Sequence, residues 1–346
     1  MSVQSWLNRI WYAPDAPPWW LVPGSALYGA LFAARRYAYR RHWRKTVRVS
    51  RPVVVVGNLS VGGTGKTPLV CWLAARLGER GLRPGVVTRG YGGSSRIARL
   101  VSPSDDPAVV GDEPVLLARR TRRPVAAGAD RAAAAQLLVD AGCGVIISDD
   151  GLQHAALARD CEIVVIDGER GFGNGRLLPA GPLREPPNRL LSVDAAVVNG
   201  GDPAPIALGA PPFAPVPRRP PSFRMRLEAS VAIALVDGSA RALQAFAGAS
   251  VHAIAGIGNP ERFFAMLRAN GMAVTAHPLA DHARIAPDDI LFPDDRPVLL
   301  TEKDAVKCGA NADRRHWYVP VEARLDDEDS ASLLEVVMAK IARAKD

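Results

Sequence analysis

Val53-Val54-Val55-Val56-Gly57-Asn58-Leu59-Ser60-Val61-Gly62-Gly63-Thr64-Gly65-Lys66-Thr67 decides how the rest of the chain is read. Four consecutive valines predict a strand buried on both faces, as in a parallel sheet. A glycine-rich turn follows, and then the apolar run Leu69-Val70-Cys71-Trp72-Leu73-Ala74. Strand, glycine loop, then helix is the order of a P-loop. Glycines let backbone N–H groups converge on an anion at the positive N-terminus of the helix. The stretch Ser60, Val61, Gly62, Gly63, Thr64, Gly65, Lys66 and Thr67 is therefore a candidate triphosphate site, with Lys66 on the β- and γ-phosphates and the Thr67 hydroxyl on Mg2+. Pro68 suits the first helical turn. Ser60 stands where the full motif has glycine.

Downstream, Arg83 to Thr88 predicts a short strand and Thr88-Arg89-Gly90-Tyr91-Gly92-Gly93 a loop at its carboxyl end, where a doubly wound sheet binds its ligand. Gly111-Asp112-Glu113-Pro114 opens a helix. Its two acids either complement the helix dipole or act as a base and a carboxylate near a metal. Gly144-Val145-Ile146-Ile147-Ser148-Asp149-Asp150 is an apolar strand ending in acids, the Walker B arrangement, with Gln153 and His154 just beyond. Another strand ends at Asp167. The irregular segment from Asn174 to Pro186 carries Arg176 and Arg184, a candidate phosphate clamp. Asn199-Gly200-Gly201-Asp202 resembles the guanine-reading motif of GTPases without its lysine, and a proline-rich stretch then marks a boundary. Beyond it, Gly256-Ile257-Gly258-Asn259-Pro260 reads as a turn between strand and helix, with Phe263, Phe264 and Leu267 on one apolar face. His282 falls in a loop, and an amphipathic helix closes the chain.

Residues 17–34 carry no charge, and Arg35, Arg36, Arg40, Arg41, Arg44, Lys45 and Arg48 follow, interleaved with Tyr37, Tyr39 and Trp43. The basic residues lie after the apolar run, which argues against a cleaved signal. Crossing a bilayer takes about 20 apolar residues, and only about a dozen remain after Pro23. The pattern predicts a helix in the membrane interface, with its aromatics at headgroup depth and its arginines on anionic lipid. A helix packed on the core and a true span are the alternatives. The positive flank places this segment on the cytoplasmic side.

The chain has 346 residues, 48% of them apolar and 23% charged, which suffices for two globular domains. A formal net charge of +8 implies an anionic partner. No RNA-binding signature or zinc-finger spacing points to nucleic acid. Cys71, Cys143, Cys161 and Cys308 are scattered, as expected of reduced thiols.

Taken together, VVVVGNLSVGGTGKTP, TRGYGG, GDEP, DDGLQH, VVIDGERGFGNGRLLPAGPLREP, AGIGNPERFF, LADH and LLTEKDAVK resemble the tetraacyldisaccharide 4'-kinase family of lipid A biosynthesis, in order from residue 51 to 307. In that family Ser60 is the ordinary residue. The resemblance implies an α/β fold: a P-loop, doubly wound, mostly parallel sheet with a second, smaller α/β domain and an N-terminal membrane-associated helix. It divides the chain into residues 1–48, 49–215 and 216–346. It implies phosphorylation of the 4'-hydroxyl of a tetraacylated glucosamine disaccharide 1-phosphate by ATP with Mg2+, by a monomer at the cytoplasmic face of the bacterial inner membrane. Asp112 is then the base, paired with His282. Lys66 and Asp150 join them in the catalytic centre, Arg184 and residues 60–67 bind ATP, and Thr67, Asp149 and Glu113 serve the metal. A ParA-like membrane-associated P-loop ATPase is the competing reading, although Val61 stands where its signature lysine would be.

Overall fold

The computed structural model describes residues 3–13, 16–201, 220–280, 283, 285–308 and 312–344. Helices α1 (Val3–Tyr12) and α2 (Val22–Arg40) precede β1 (Val53–Gly57), which the four valines form. Then come α3 (Lys66–Glu79), β2 (Pro84–Thr88), β3 (Arg99–Val101), α4 (Pro107–Val110), α5 (Asp112–Thr121), β4 (Val125–Ala127), α6 (Arg131–Asp140), β5 (Val145–Asp149), β6 (Cys161–Asp167) and β7 (Ala195–Asn199). The later elements are β8 (Ser222–Glu228), β9 (Val231–Ala234), β10 (Ala240–Ala242), β11 (Ser250–Ala255), α7 (Pro260–Ala269), β12 (Ala273–Pro278), α8 (Pro287–Ile290), β13 (Val298–Thr301), α9 (Glu302–Cys308), β14 (His316–Val319), β15 (Glu322–Arg324) and α10 (Asp327–Arg343).

A nine-stranded sheet runs in the order β15-β8-β7-β6-β1-β5-β2-β4-β3. It is parallel from β8 to β4 and antiparallel at both edges. Because successive strand side chains alternate faces, the valines serve two cores. Val54 and Val56 join Leu69, Val70 and Leu73 of α3 in one buried cluster, while Val53 and Val55 join Ala134, Ala135 and Leu138 of α6 in the other. Burial on both faces explains the unbroken apolar run. Val56 pairs with Asp149 across β1 and β5, which brings the strand-end acid beside the root of the glycine loop.

The second sheet has six strands in the order β10-β9-β14-β13-β11-β12. The expected boundary at residue 216 does not separate the two sheets. β8 pairs with β7, β15 pairs with β8, and Leu333, Leu334, Val337 and Ile341 of α10 enter the core of the first sheet. The chain therefore leaves the first lobe between β8 and β9 and returns between β14 and β15. All four cysteines are free, and burial pushes the Cys71 thiol up to about 12.

No helix among the described residues is long and apolar enough to cross a membrane. α2 buries none of its residues, and Trp19, Leu27, Leu31 and Trp43 in and around it are mostly exposed. One side of the N-terminal pair grips the segment from Asn174 to Arg184. Trp11 Nε1 donates to the Pro179 carbonyl at 2.8 Å, Ser25 Oγ to Leu177 O at 2.7 Å and the Tyr28 hydroxyl to Arg184 O at 3.0 Å.

Candidate active site

The phosphate loop is anchored at its sides, and one side of its tip is open. Val61 N–H donates to Pro182 O at 2.8 Å, and Ser60 bridges to Leu183, so these two residues tie the loop to the Arg184 segment. Asn199 Nδ2 donates to Thr64 O at 3.0 Å. That bond gives the buried Asn199 a structural part in bracing the loop. Gly65, with φ of 92°, precedes Lys66, the first residue of α3. A Cβ placed on Gly62 or Gly63 would meet nothing within 4 Å. An anion can therefore approach the backbone closely where the helix N-terminus favours it.

Asp149 and Asp150 are neighbours in sequence with opposite environments. Asp149 is buried at the end of β5, and its Oδ1 has no hydrogen-bond partner. Burial first, then the charge of Glu113, pushes its carboxyl up to about 7 against the pull of Lys66. Asp150 adopts a φ of 48° and turns to two cations. Arg184 Nη1 reaches its carboxylate oxygens at 2.9 and 3.1 Å, and Lys66 Nζ lies 3.6 Å away. Burial opposes ionisation of Asp150, but Lys66 and Arg184 outweigh it and hold the group well below the usual carboxylate range. A buried carboxylate oxygen without a donor suits a hard cation, which takes oxygen ligands. Glu113 on α5 is near enough for its charge to act on Asp149, and Thr67 stands in the first turn of α3.

Arg131 had no role in the sequence reading. It is fully buried at the head of α6 and donates to Ser148 Oγ at 3.0 Å, next to the acids. Burial pushes its guanidinium down, with Asp150 and Asp149 opposing. An arginine opening an alanine-rich helix is the one hint the sequence offers.

Asp112 and Glu113 begin α5, and Asp112 is 6% exposed. The glycine loop after Thr88 packs on the turn ahead of them, with Ser94 N–H donating to Ala108 O at 3.0 Å. Its Tyr91 is exposed. Glu113 N–H donates to Asp112 Oδ1 at 2.9 Å. From the second lobe, α9 faces α5 with three charge pairs: Arg120 to Glu302 at 3.1 Å, Lys303 to Glu113 at 3.6 Å and Lys307 to Asp112 at 4.0 Å. The acids of Thr301-Glu302-Lys303-Asp304 thus join elements together. Asp304 Oδ2 accepts from Gly256 N–H at 2.7 Å and from the Thr301 hydroxyl at 2.5 Å. His282 lies outside the described residues.

A second cross-lobe contact is made of backbone. The turn at Gly258 presses on the phosphate loop so closely that a Cβ there would stand 2.6 Å from Gly63 N. Beside it, Arg262 lies 3.5 Å from Asp167 and donates to Asn199 O at 3.3 Å. The Gly-x-Gly of this turn therefore abuts the triphosphate cradle and is a βα turn rather than a nucleotide loop of its own. Arg176 is exposed, and Gln153 is engaged with Asn58 O and Glu185.

A glycine-lined phosphate loop, a buried strand-end carboxylate beside it and two further acids at the head of α5 make the arrangement of a P-loop phosphotransferase. Within that class the chain belongs to the tetraacyldisaccharide-1-P 4'-kinase family, whose model matches residues 17–341. It is 50% identical over 341 residues to the tetraacyldisaccharide 4'-kinase of Alkalilimnicola ehrlichii, covering 97% of this chain and 96% of that one. It is 47% identical over 349 residues to the enzyme of the same name from Methylobacillus flagellatus, covering 99% and 97%. Among solved structures, LpxK from Aquifex aeolicus in complex with ATP superposes with a TM-score of 0.75 at 28% identity, covering 92% of this chain and 98% of that one. These relatives favour the kinase over the ParA-like ATPase.

Proposed function

We propose that the chain transfers the γ-phosphoryl group of ATP to the 4'-hydroxyl of a tetraacylated disaccharide 1-phosphate in lipid A biosynthesis, at the cytoplasmic face of the inner membrane. The observation that carries this reading is the pairing of an open, glycine-lined loop with Asp149, whose buried Oδ1 has no protein partner. Thr67, Asp149 and Glu113 would hold Mg2+, which neutralises phosphate charge.

The N–H groups of the loop from Gly62 to Lys66 cradle the phosphates. Lys66 and Arg184, kept in place by Asp150, supply positive charge where the phosphoryl group passes. The sugar oxygen forms a bond to the γ-phosphorus as the bond to the ADP oxygen breaks, and Asp112 accepts the hydroxyl proton. His282 supports Asp112 in this role.

The acceptor's acyl chains stay in the bilayer beside α2. Trp19, Trp20 and Trp43 are exposed, and arginines line the end of the helix, a composition suited to an anionic interface. The hydrogen bonds from Trp11, Ser25 and Tyr28 tie this membrane-facing part to the segment that carries Arg184.

The test is incubation with labelled ATP and the lipid acceptor in detergent. Label should appear on the 4'-position of the lipid, and label reaching only water would reject the proposal. Asp112→Ala should lower turnover by about 10²- to 10⁴-fold while ATP binding persists.

A further inference from the structure

We propose that Lys307 is a positioning residue for phosphoryl transfer, reaching from the second lobe to hold the Asp112 carboxylate and the backbone at Ala283 in one arrangement. This rests on the reading of Asp112 as the proton acceptor.

Lys307 is largely buried, and its ammonium meets three groups. Nζ lies 2.7 Å from Asp304 Oδ1, donates to the Ala283 carbonyl at 3.1 Å and stands 4.0 Å from Asp112 Oδ2. The first contact fixes where the lysine is. Asp304 is fully buried and is itself held by Gly256 N–H at the end of β11 and by the Thr301 hydroxyl at the end of β13. Thr301, Asp304 and Lys307 recur every three residues over the start of α9, so strand end, acid and lysine form one stack on one helix face.

The other two contacts explain what the lysine is for. An ammonium has three donors and no acceptor, so Lys307 can hydrogen-bond the Ala283 carbonyl and the Asp304 carboxylate while its charge reaches Asp112 at 4.0 Å. Asp304 alone would have sufficed to neutralise it. Lys307 also reaches across the lobes to Asp112 and backwards to Ala283, which follows His282 in the chain. Removing it would leave Asp304 buried without its cation and would take from Asp112 Oδ2 a positive charge from the second lobe, while Glu113 N–H still holds Oδ1. Holding a catalytic group in its productive geometry is worth far more than the contact energy itself.

The experiment compares Lys307→Gln and Lys307→Arg with Asp112→Ala in the full chain, measuring kcat, both KM values, ATP affinity and thermal unfolding. Lys307→Gln should lower kcat by about ten-fold or more while the KM and affinity for ATP hold. Lys307→Arg, which keeps the charge and the donors, should recover most of that loss. Wild-type kcat in Lys307→Gln, or a loss that Lys307→Arg fails to recover, would overturn the assignment. If Lys307→Gln unfolds, the arginine variant decides: near-normal kcat supports the assignment and an equal collapse rejects it. Inactive Asp112→Ala with unaffected Lys307→Gln rejects this inference alone. Active Asp112→Ala rejects the proton-acceptor reading and the inference with it.

Discussion

In the first lobe the strand ends gather charge: Lys66 follows β1, while Asp149 and Asp150 close β5. In the second lobe the equivalent strand ends, after β11 and β13, present a bare turn at Gly258 and the helix α9. Both lobes use the carboxyl end of a parallel sheet, the usual ligand-facing edge of such folds. One carries there the groups proposed for chemistry. The other uses it to abut the phosphate loop and to pair α9 with α5. The difference teaches that the second lobe acts mainly by placing groups that belong to the first.

The strongest test of this division removes the first lobe's cation. Lys66→Met should reduce kcat by about a thousandfold, since charge on the transferring phosphoryl group is then poorly balanced. Asp150 would keep Arg184, so the fold should survive, as checked by unfolding temperature. A loss of less than about ten-fold would mean that Lys66 is not on the reaction path and that the lobes do not divide the work this way.

Next comes a wedge between the lobes. Gly258→Val places carbon where Gly63 N stands 2.6 Å from an added Cβ, so loop or turn must move. A displacement of about 1 Å at a reacting group can cost about a hundredfold, and kcat/KM for ATP should fall by ten-fold or more. The substitution replaces no side chain assigned to chemistry and acts only by pushing on the Gly62–Gly63 backbone of the phosphate loop. Unchanged kinetics would show that the second lobe does not need to reach the loop.

A smaller effect should follow from the contrast inside the first lobe. Asp149, pushed up to about 7 by burial and Glu113, is protonated on the acid side of that value and binds a cation only after losing its proton. Mg2+ affinity should therefore fall as pH drops from 8 to 6, by about ten-fold, and level off above 8. Titration of Mg2+ against ATP turnover checks this. Asp149→Asn should abolish the pH dependence along with the tight binding, and a flat profile in the native enzyme would remove Asp149 from the metal.

How much of this was legible depended on how local the signal was. The valine run, the glycine loop and the acids after β5 are consecutive residues whose pattern states their environment. They read correctly because burial on both faces and a strand-to-helix turn need nothing distant. The abutment of Gly258 on Gly63 and of Lys307 on Asp112 joins residues nearly two hundred apart in the chain, and no periodicity encodes it. β8 and β15 escaped for a related reason. An edge strand has the same alternation whichever sheet it joins, so SFRMRLE gave no sign that it extends the first one. The role of Asn199 was equally hidden, because an Asn after a buried strand looks the same whether it reads a base or holds the Thr64 carbonyl.

The least costly change to the fold concerns the N-terminal helices, which belong fully to neither lobe. Trp19 and Trp20 are exposed at 81% and 54%, so neither side chain contributes much to the packed core. Replacing both with Ser should alter stability by less than about 1 kcal/mol, the range for surface sites. Turnover in detergent should stay near normal, because Trp11, Ser25 and Tyr28 still hold the Arg184 segment. Flotation with anionic vesicles should weaken several-fold, as each indole loses its place at headgroup depth. Because the same double variant leaves the lobes intact, a fall in detergent turnover would show that these tryptophans support the cleft itself. Unchanged flotation would assign membrane contact to the basic residues from Arg35 to Arg48 instead.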